Sequence, residues 1–186
     1  MSGAGKTKED ICSQALLYIG EAPISSFSEG TGGLVASNLY DITRDDMLTG
    51  YRWRFAAGKS TLNQLVATPL NEWQYAYQLP SDLLLVIRTY PNSKFEVYED
   101  KLYSNANTSE IDYIFRPEPG AFPAYFVKAL GYKLAAEFAI TITNNQSLAD
   151  LMDRRAMMHL QKARYNDSQG RSNTAIHSRP WIEVRG

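Results

Sequence analysis

Two glycine-lysine stretches of the 186-residue chain are the first candidates for chemistry, because each carries part of a phosphate-binding loop pattern. Residues 2–7 read SGAGKT, and Gly58-Lys59-Ser60 repeats the last part of the pattern. A complete pattern has another glycine five residues earlier and a buried strand leading into the loop. The first stretch has neither, and Trp53 stands at the glycine position before the second. We therefore expect no nucleotide and no other cofactor.

The nucleophiles and metal ligands of the chain are few. His159 and His177 are the two histidines, and neither has a histidine, cysteine or carboxylate at metal-ligand spacing. The single cysteine, Cys12, excludes an intrachain disulfide and any multi-cysteine metal site. Its apolar helical neighbours favour a core residue over a nucleophile. No Gly-x-Ser-x-Gly elbow is present, so we expect no metal and no serine hydrolase chemistry.

Carboxylates are the remaining candidates for catalysis. Glu137 lies among apolar residues, and Asp45 and Asp46 follow Arg44 on one side of a helical pattern. An acid and base pair for glycoside hydrolysis needs two carboxylates facing one cleft, roughly 5 to 9.5 Å apart. The sequence indicates no such pairing. A solvated helix face is the simpler interpretation for Asp45 and Asp46, and an exposed helix edge for Glu137.

Composition places the chain among soluble globular proteins. It has 44% hydrophobic and 21% charged residues, with 19 basic and 20 acidic side chains. This balance does not indicate a nucleic-acid binder, which concentrates Lys and Arg. No charged-then-apolar leader and no apolar run near the roughly 20 residues that a bilayer requires are present. We expect one soluble domain over residues 1–170 that does not enter a membrane.

Helical periodicity predicts four helices, at about residues 7–19, 34–49, 124–143 and 147–169. Thr7 and Asp10 are spaced to cap the first helix, and Gly20 and Gly50 follow the first two helices. A short connection between the last two predicts antiparallel partners. These helices must position any functional side chains that the chain carries.

Between the second and third helices the pattern changes to strands. A β-insertion is predicted at about residues 75–116, with a hairpin over 94–104 and a strand from Glu110 to Arg116. Large aromatic residues concentrate at the change from helix to strand, and we interpret them as a structural hub. The hub comprises Trp53, Phe55, Trp73, Tyr75, Tyr77, Leu79 and Pro80. The predicted fold is α+β: a bundle of about four helices interrupted by a small antiparallel sheet, with an extended C-terminal tail.

The C-terminal part is locally basic. Arg154, Arg155, Lys162 and Arg164 lie on the fourth helix without interleaved aromatic residues, which favours contacts with protein over readout of bases. Residues 171–186, the docking segment, have no helical period but end in apolar groups. They can anchor in a partner or fold back on their own domain. The anchoring candidates are Arg179, Pro180, Trp181, Ile182, Val184 and Arg185.

Three stretches together resemble the head-to-tail adaptors of tailed bacteriophages, the tail tubular protein A group, also called gatekeeper or head completion proteins. The first is ALLYIGEAPI at residues 15–24, the second Trp53-Arg54-Phe55-Ala56, and the third WQYAYQLPSD at residues 73–82. The similarity extends from about Ile11 to Ala163. It implies a helical bundle with a small β-domain and assembly into a ring, commonly dodecameric, beneath the portal.

The resemblance also implies the partners and the location. A C-terminal segment would hold the portal protein, and the β-bearing end would meet the tail nozzle. The protein would be a non-enzymatic part of the virion, assembled in the host cytoplasm, whose channel passes genomic DNA without reading it. Near-neutral net charge suits such a channel, because a strongly basic lumen would retain the genome. The docking segment departs from the family pattern in length and composition.

Two other functions remain as hypotheses. The first is a virion-associated peptidoglycan hydrolase that uses Glu137, or Asp45 with Asp46, as acid and base. The second is a DNA-binding module built on the basic fourth helix, which would bind duplex DNA in a salt-sensitive manner.

Overall fold

The computed structural model describes residues 6–67, 69, 72–107 and 109–169. Helices and small antiparallel sheets make up this part of the chain, so the predicted α+β class is confirmed. The helices are α1 (Lys8–Tyr18), α2 (Gly30–Thr49), α3 (Ala124–Thr141) and α4 (Gln146–Ser168). The docking segment, with all its anchoring candidates, lies outside the described residues.

The first helix, α1, begins where the sequence predicts because Thr7 and Asp10 cap it reciprocally. The Asp10 amide donates to the Thr7 hydroxyl at 3.2 Å, and the Thr7 amide donates to the Asp10 carboxylate at 2.9 Å. The pair satisfies two amides that have no partner inside the helix. Gly20 has a φ of +84°, a conformation that residues with a Cβ atom rarely adopt. The chain leaves the helix there.

The second helix, α2, begins four residues before the predicted Leu34, at Gly30. The prediction assigned its glycines to a loop. In the structure Gly33 lies against the preceding loop so closely that a Cβ atom would be 2.7 Å from the carbonyl oxygen of Phe27. Glycine here permits close approach inside a helix. A pattern of side-chain hydrophobicity does not reveal that use.

Two antiparallel sheets replace the single predicted sheet. One has the order β1-β7-β4 and the other β2-β3-β6-β5. The strands are β1 (Ala57–Thr61), β2 (Asn63–Gln64), β3 (Tyr75–Gln78), β4 (Leu83–Tyr90), β5 (Phe95–Tyr98), β6 (Lys101–Ser104) and β7 (Glu110–Phe115). The predicted hairpin is confirmed as β5 and β6. Strands β1 and β2 precede the predicted insertion. The sequence did not predict them because it is polar there and shows little alternation of apolar and polar residues.

Helix α3 is the centre of the helical layer. It packs against α1, α2 and α4, so it buries residues on several sides. Three of these residues are Ala129, Ala135 and Ala139, which the sequence predicts as points of close approach. The helical core lies around them. A smaller core, formed by Leu62, Tyr77, Leu79, Leu102 and Ile111, receives side chains from both sheets.

Adjacent leucines at the end of α1 test this arrangement. Leu16 is fully buried in the helical core, whereas Leu17 is 58% exposed. We expect Leu16→Ala to lower the free energy of unfolding by about 2 to 5 kcal/mol, because it leaves a cavity. Leu17→Ala is the matched control and should change it by less than ~0.5 kcal/mol. Urea unfolding followed by circular dichroism measures both, and equal losses would contradict the assignment of α1's buried face.

Candidate functional site

The hub residues do not form one cluster. Trp53 and Phe55 lie in the helical core. Tyr77 and Leu79 are buried in the smaller core, where Tyr75 packs against them. Trp73 and Pro80 are half-buried and belong to neither set. The predicted hub is therefore two structural centres, because the chain between Phe55 and Tyr75 crosses from the helices into the second sheet.

Trp53 joins α2 to α3. Its side chain is fully buried, and its indole N–H donates to the carbonyl oxygen of Met47 at 2.8 Å. The ring meets that of Phe126 edge to face, with centroids 5.2 Å apart. Both contacts are favourable for a buried indole, which needs an acceptor as well as apolar surface. Trp53 has a structural role.

Asp167, which the sequence interpretation did not single out, connects α4 to the same place. Its buried carboxylate accepts from the Arg54 backbone amide at 3.0 Å and from the Tyr125 hydroxyl at 2.8 Å. Burial and this hydrogen bond raise the pKa of Tyr125. The sequence does carry a signal for this role, because Asp167 falls on the apolar stripe of α4 four residues after Ala163. A carboxylate on a buried stripe indicates a specific polar partner.

A second buried carboxylate, Asp112, ties the three-stranded sheet together. Lys59 on β1 and Arg88 on β4 are its cross-strand partners. Its Oδ2 atom accepts from the Nε of Arg88 at 2.7 Å and from Arg52 at 3.1 Å, and Lys59 Nζ lies 3.7 Å from Oδ1. Burial raises the pKa of Asp112, but the hydrogen bond from Arg88 and the three cationic charges outweigh it and hold the pKa below its usual range. A carboxylate held ionised in this way is not a general acid.

The three carboxylates of the hydrolase hypothesis have different surroundings in the structure. Asp45 pairs with Arg44 at 2.8 Å and with Arg116 at 2.7 Å. Burial raises the pKa of Asp45, but the hydrogen bonds from both guanidinium groups lower it by more, so the pKa lies below its usual range. Asp46 is exposed. Glu137 is half-buried beside an open cavity of about 230 Å³ that is also lined by Lys133, Asp150, Asp153, Gln146 and three apolar residues of α3 and α4.

The remaining candidates lie in packed positions. Cys12 is fully buried, and burial raises the pKa of its thiol to about 12, so it is a core residue and not an activated nucleophile. His159 stacks on Tyr132 at 4.8 Å, and burial, with Lys128 and Lys162 nearby, lowers its pKa. His177 lies outside the described residues.

Ligand-binding features are sparse in the part of the chain that the structure describes. Gly58-Lys59-Ser60 lies within β1 and not in a loop before a helix. Residues 6–67, 69, 72–107 and 109–169 bring together no group of three metal-ligating side chains. No helix among them has the length and apolarity to cross a membrane.

Two helix faces expose large apolar side chains instead. On α2, Leu34 is 62% exposed and Ile42 is 70% exposed. On α4, Leu151, Met158 and Tyr165 are exposed on one side of the helix, and Met157 is exposed on another. Side chains at spacings of three, four and seven lie on one side of a helix. The α2 face comprises Leu34, Asn38, Asp41, Ile42 and Asp46, and the α4 face comprises Leu151, Arg154, Arg155, Met158, Lys162 and Tyr165.

Of the four cations that the sequence places on the fourth helix, three belong to the α4 face. Arg154, Arg155 and Lys162 are exposed. Arg164 points elsewhere, since its guanidinium lies over the Tyr51 ring at 5.3 Å and approaches the Gly50 carbonyl oxygen at 3.4 Å. The candidate functional site is this pair of surfaces, which expose apolar side chains beside charged ones.

Comparison with known proteins finds no match, either among models of protein families or among curated proteins.

Removal of the Asp167 carboxylate tests the connection from α4 to the hub. Asp167→Ala leaves the Arg54 amide and the Tyr125 hydroxyl without their acceptor. We expect a loss of about 1 to 3 kcal/mol in the free energy of unfolding, the cost of leaving a buried donor unpaired, because both donors are only partly buried. Asn166→Ala, at the exposed neighbouring position, is the control and should change stability by less than ~0.5 kcal/mol. A loss for Asp167→Ala no larger than that of the Asn166→Ala control would contradict the role of Asp167 in holding α4 to the Arg54 amide and Tyr125.

The lowered pKa of Asp112 predicts a pH dependence. A carboxylate whose pKa is lower in the folded state contributes stability that is fully present above its unfolded pKa of about 3.9 and is lost as the pH falls through the folded value. Asp112→Asn should therefore be less stable than the wild type at pH 7, and the difference should shrink below about pH 4. Urea unfolding between pH 7 and pH 2.5 measures it. A difference that stays constant throughout would contradict the ion-pair account.

Proposed function

We propose that this chain is a structural virion protein: a head-to-tail adaptor that assembles as a ring, commonly of twelve copies, between the portal and the tail nozzle. Genomic DNA passes through the ring without sequence readout. The protein performs no catalytic step, needs no cofactor and is assembled into virions in the host cytoplasm. The proposal rests on the resemblance of three sequence stretches and on the following features of the fold.

The observation that carries the proposal is the pair of exposed apolar faces on α2 and α4. A ring of identical subunits requires two different surfaces on each copy, because each copy contacts one neighbour through one surface and the other neighbour through the second. Contiguous exposed apolar patches mark surfaces that a partner covers, and each of these faces carries two or three large apolar side chains on one side of its helix. A rigid subunit with two such faces suits this task.

The internal contacts of the fold support a mechanical role. The buried carboxylates Asp112 and Asp167 are used for joining strands and helices, and Asp45 is held by two arginines. These are structural connections among elements distant in sequence. Asp167 holds α4 to Tyr125 of α3, and Asp45 holds α2 to Arg116, so both faces have fixed positions, as a ring subunit requires.

The docking segment follows directly after α4 in the sequence. Its tryptophan and β-branched residues, Trp181, Ile182 and Val184, are the proposed anchors on the portal, and Arg179 and Arg185 flank them. One such segment makes a modest contact. Repeated around a ring, modest contacts give a strong attachment through multivalency.

A DNA-binding module is the competing function, favoured by the exposed cations Arg154, Arg155 and Lys162. Gel-shift measurements at low salt distinguish the two. The adaptor should not retard duplex DNA as an isolated subunit, whereas a DNA-binding module would do so with strong salt dependence.

Electron microscopy of the protein mixed with portal rings of its phage tests the proposal directly. We expect ring-shaped density of this chain beneath the portal. Truncation of residues 172–186 should weaken portal binding at least about tenfold, because the anchors are lost at every site, while circular dichroism and thermal unfolding stay as in the full chain. Failure of the full chain to bind portal rings would contradict the proposed function. Normal binding by the truncated chain would contradict the role of the docking segment alone.

A further inference from the structure

We infer that copies of this chain join head to tail, with the α4 face of one copy packed against the α2 face of the next. The inference rests on the proposed ring, and it identifies the two surfaces that meet. It is carried by three properties of the faces: their apolar side chains, their charges and their lengths.

The α4 face carries three exposed apolar side chains with cations between them. Leu151, Met158 and Tyr165 recur at intervals of seven residues, so their side chains lie on one side of the helix. Arg154, Arg155 and Lys162 lie beside them, exposed, and none forms an ion pair with residues in the described ranges. Cations left unpaired beside an apolar stripe favour a partner surface with carboxylates.

The α2 face offers apolar residues together with carboxylates. Ile42, at 70% exposure, stands between Asp41 and Asp46 on this face. Asp41 is partly compensated, since it pairs with Lys8 at 3.2 Å and with the buried Arg44 at 2.6 Å. Asp46 has no ion pair within the described part of the chain, and it lines a cavity together with Lys133 and Arg164 of the same copy. Arg44 is the only cation of α2 and it is buried, so the exposed charged side chains of α2 are all carboxylates.

Charge and length select the pairing of α4 with α2 over pairing of either face with itself. Two α4 faces would oppose cations to cations, and two α2 faces would oppose carboxylates to carboxylates. The stripe from Leu151 to Tyr165 is ~21 Å long and the stripe from Leu34 to Asp46 is ~18 Å long, at about 1.5 Å per residue. The faces therefore match in extent and are opposite in charge. A contact between two different faces repeats from copy to copy and closes into a ring when the rotation permits.

Single substitutions on each face test the pairing. Ile42→Asp and Met158→Asp each place a carboxylate in the proposed contact, and each should raise the dissociation constant of self-association at least about tenfold. Both side chains are mostly exposed, so thermal unfolding of the monomer should stay unchanged. Val97→Asp, at an exposed valine of β5, is the matched control and should associate like the wild type. Analytical ultracentrifugation measures all four proteins.

A mixture of the two variants distinguishes head-to-tail contact from other arrangements. The Ile42→Asp variant keeps an intact α4 face, and the Met158→Asp variant keeps an intact α2 face. The mixture should form one-to-one dimers that grow no further, measured by native mass spectrometry. Variants that associate like the wild type would overturn the inference and leave the ring proposal standing. A wild type that stays monomeric, alone and with portal rings, would overturn both.

Discussion

The placement of Trp53 is the constraint on which the rest of the fold depends. Its indole is fully buried, bonded to the end of α2 through the Met47 carbonyl and packed on α3 through Phe126. The next residue, Arg54, donates its amide to Asp167 of α4. Three helices therefore meet where the first strand begins. The relative positions of the α2 and α4 faces follow from this junction, because both helices are fixed to it.

Features that depend on neighbours in sequence could be predicted from the sequence. Helical periodicity located all four helices, and the Thr7 and Asp10 cap is present as expected. Features that depend on distant partners could not. The polar strand β1 is defined by its pairing with β7, which lies about fifty residues later in the chain and carries Asp112. Asp112 acquires its role only when its partners are brought together by the fold, whereas the position of Asp167 on the buried stripe of α4 indicated a polar partner without identifying it.

The candidate site also combines features that local sequence predicts with features that depend on distant partners. The exposure of Leu151, Met158 and Tyr165 could be predicted from helical periodicity, because they lie outside the buried stripe of Ala149, Met152, Ala156 and Ala163. The carboxylates that the sequence offered for acid and base chemistry separate in the fold into an ion-paired Asp45, an exposed Asp46 and a half-buried Glu137. The chain presents surfaces, and its buried polar groups hold those surfaces in place. That arrangement suits an assembling subunit.

Disulfide cross-linking tests the central claim, head-to-tail contact between two different faces, most directly. Cys12 is the only native cysteine and it is buried, so introduced thiols report without interference. A chain carrying both Ile42→Cys and Met158→Cys should give, on mild oxidation, a ladder of covalent oligomers that ends at a closed ring. Each single substitution should give monomer. Absence of the ladder, or an equal yield of dimers from either single substitution, would contradict the account.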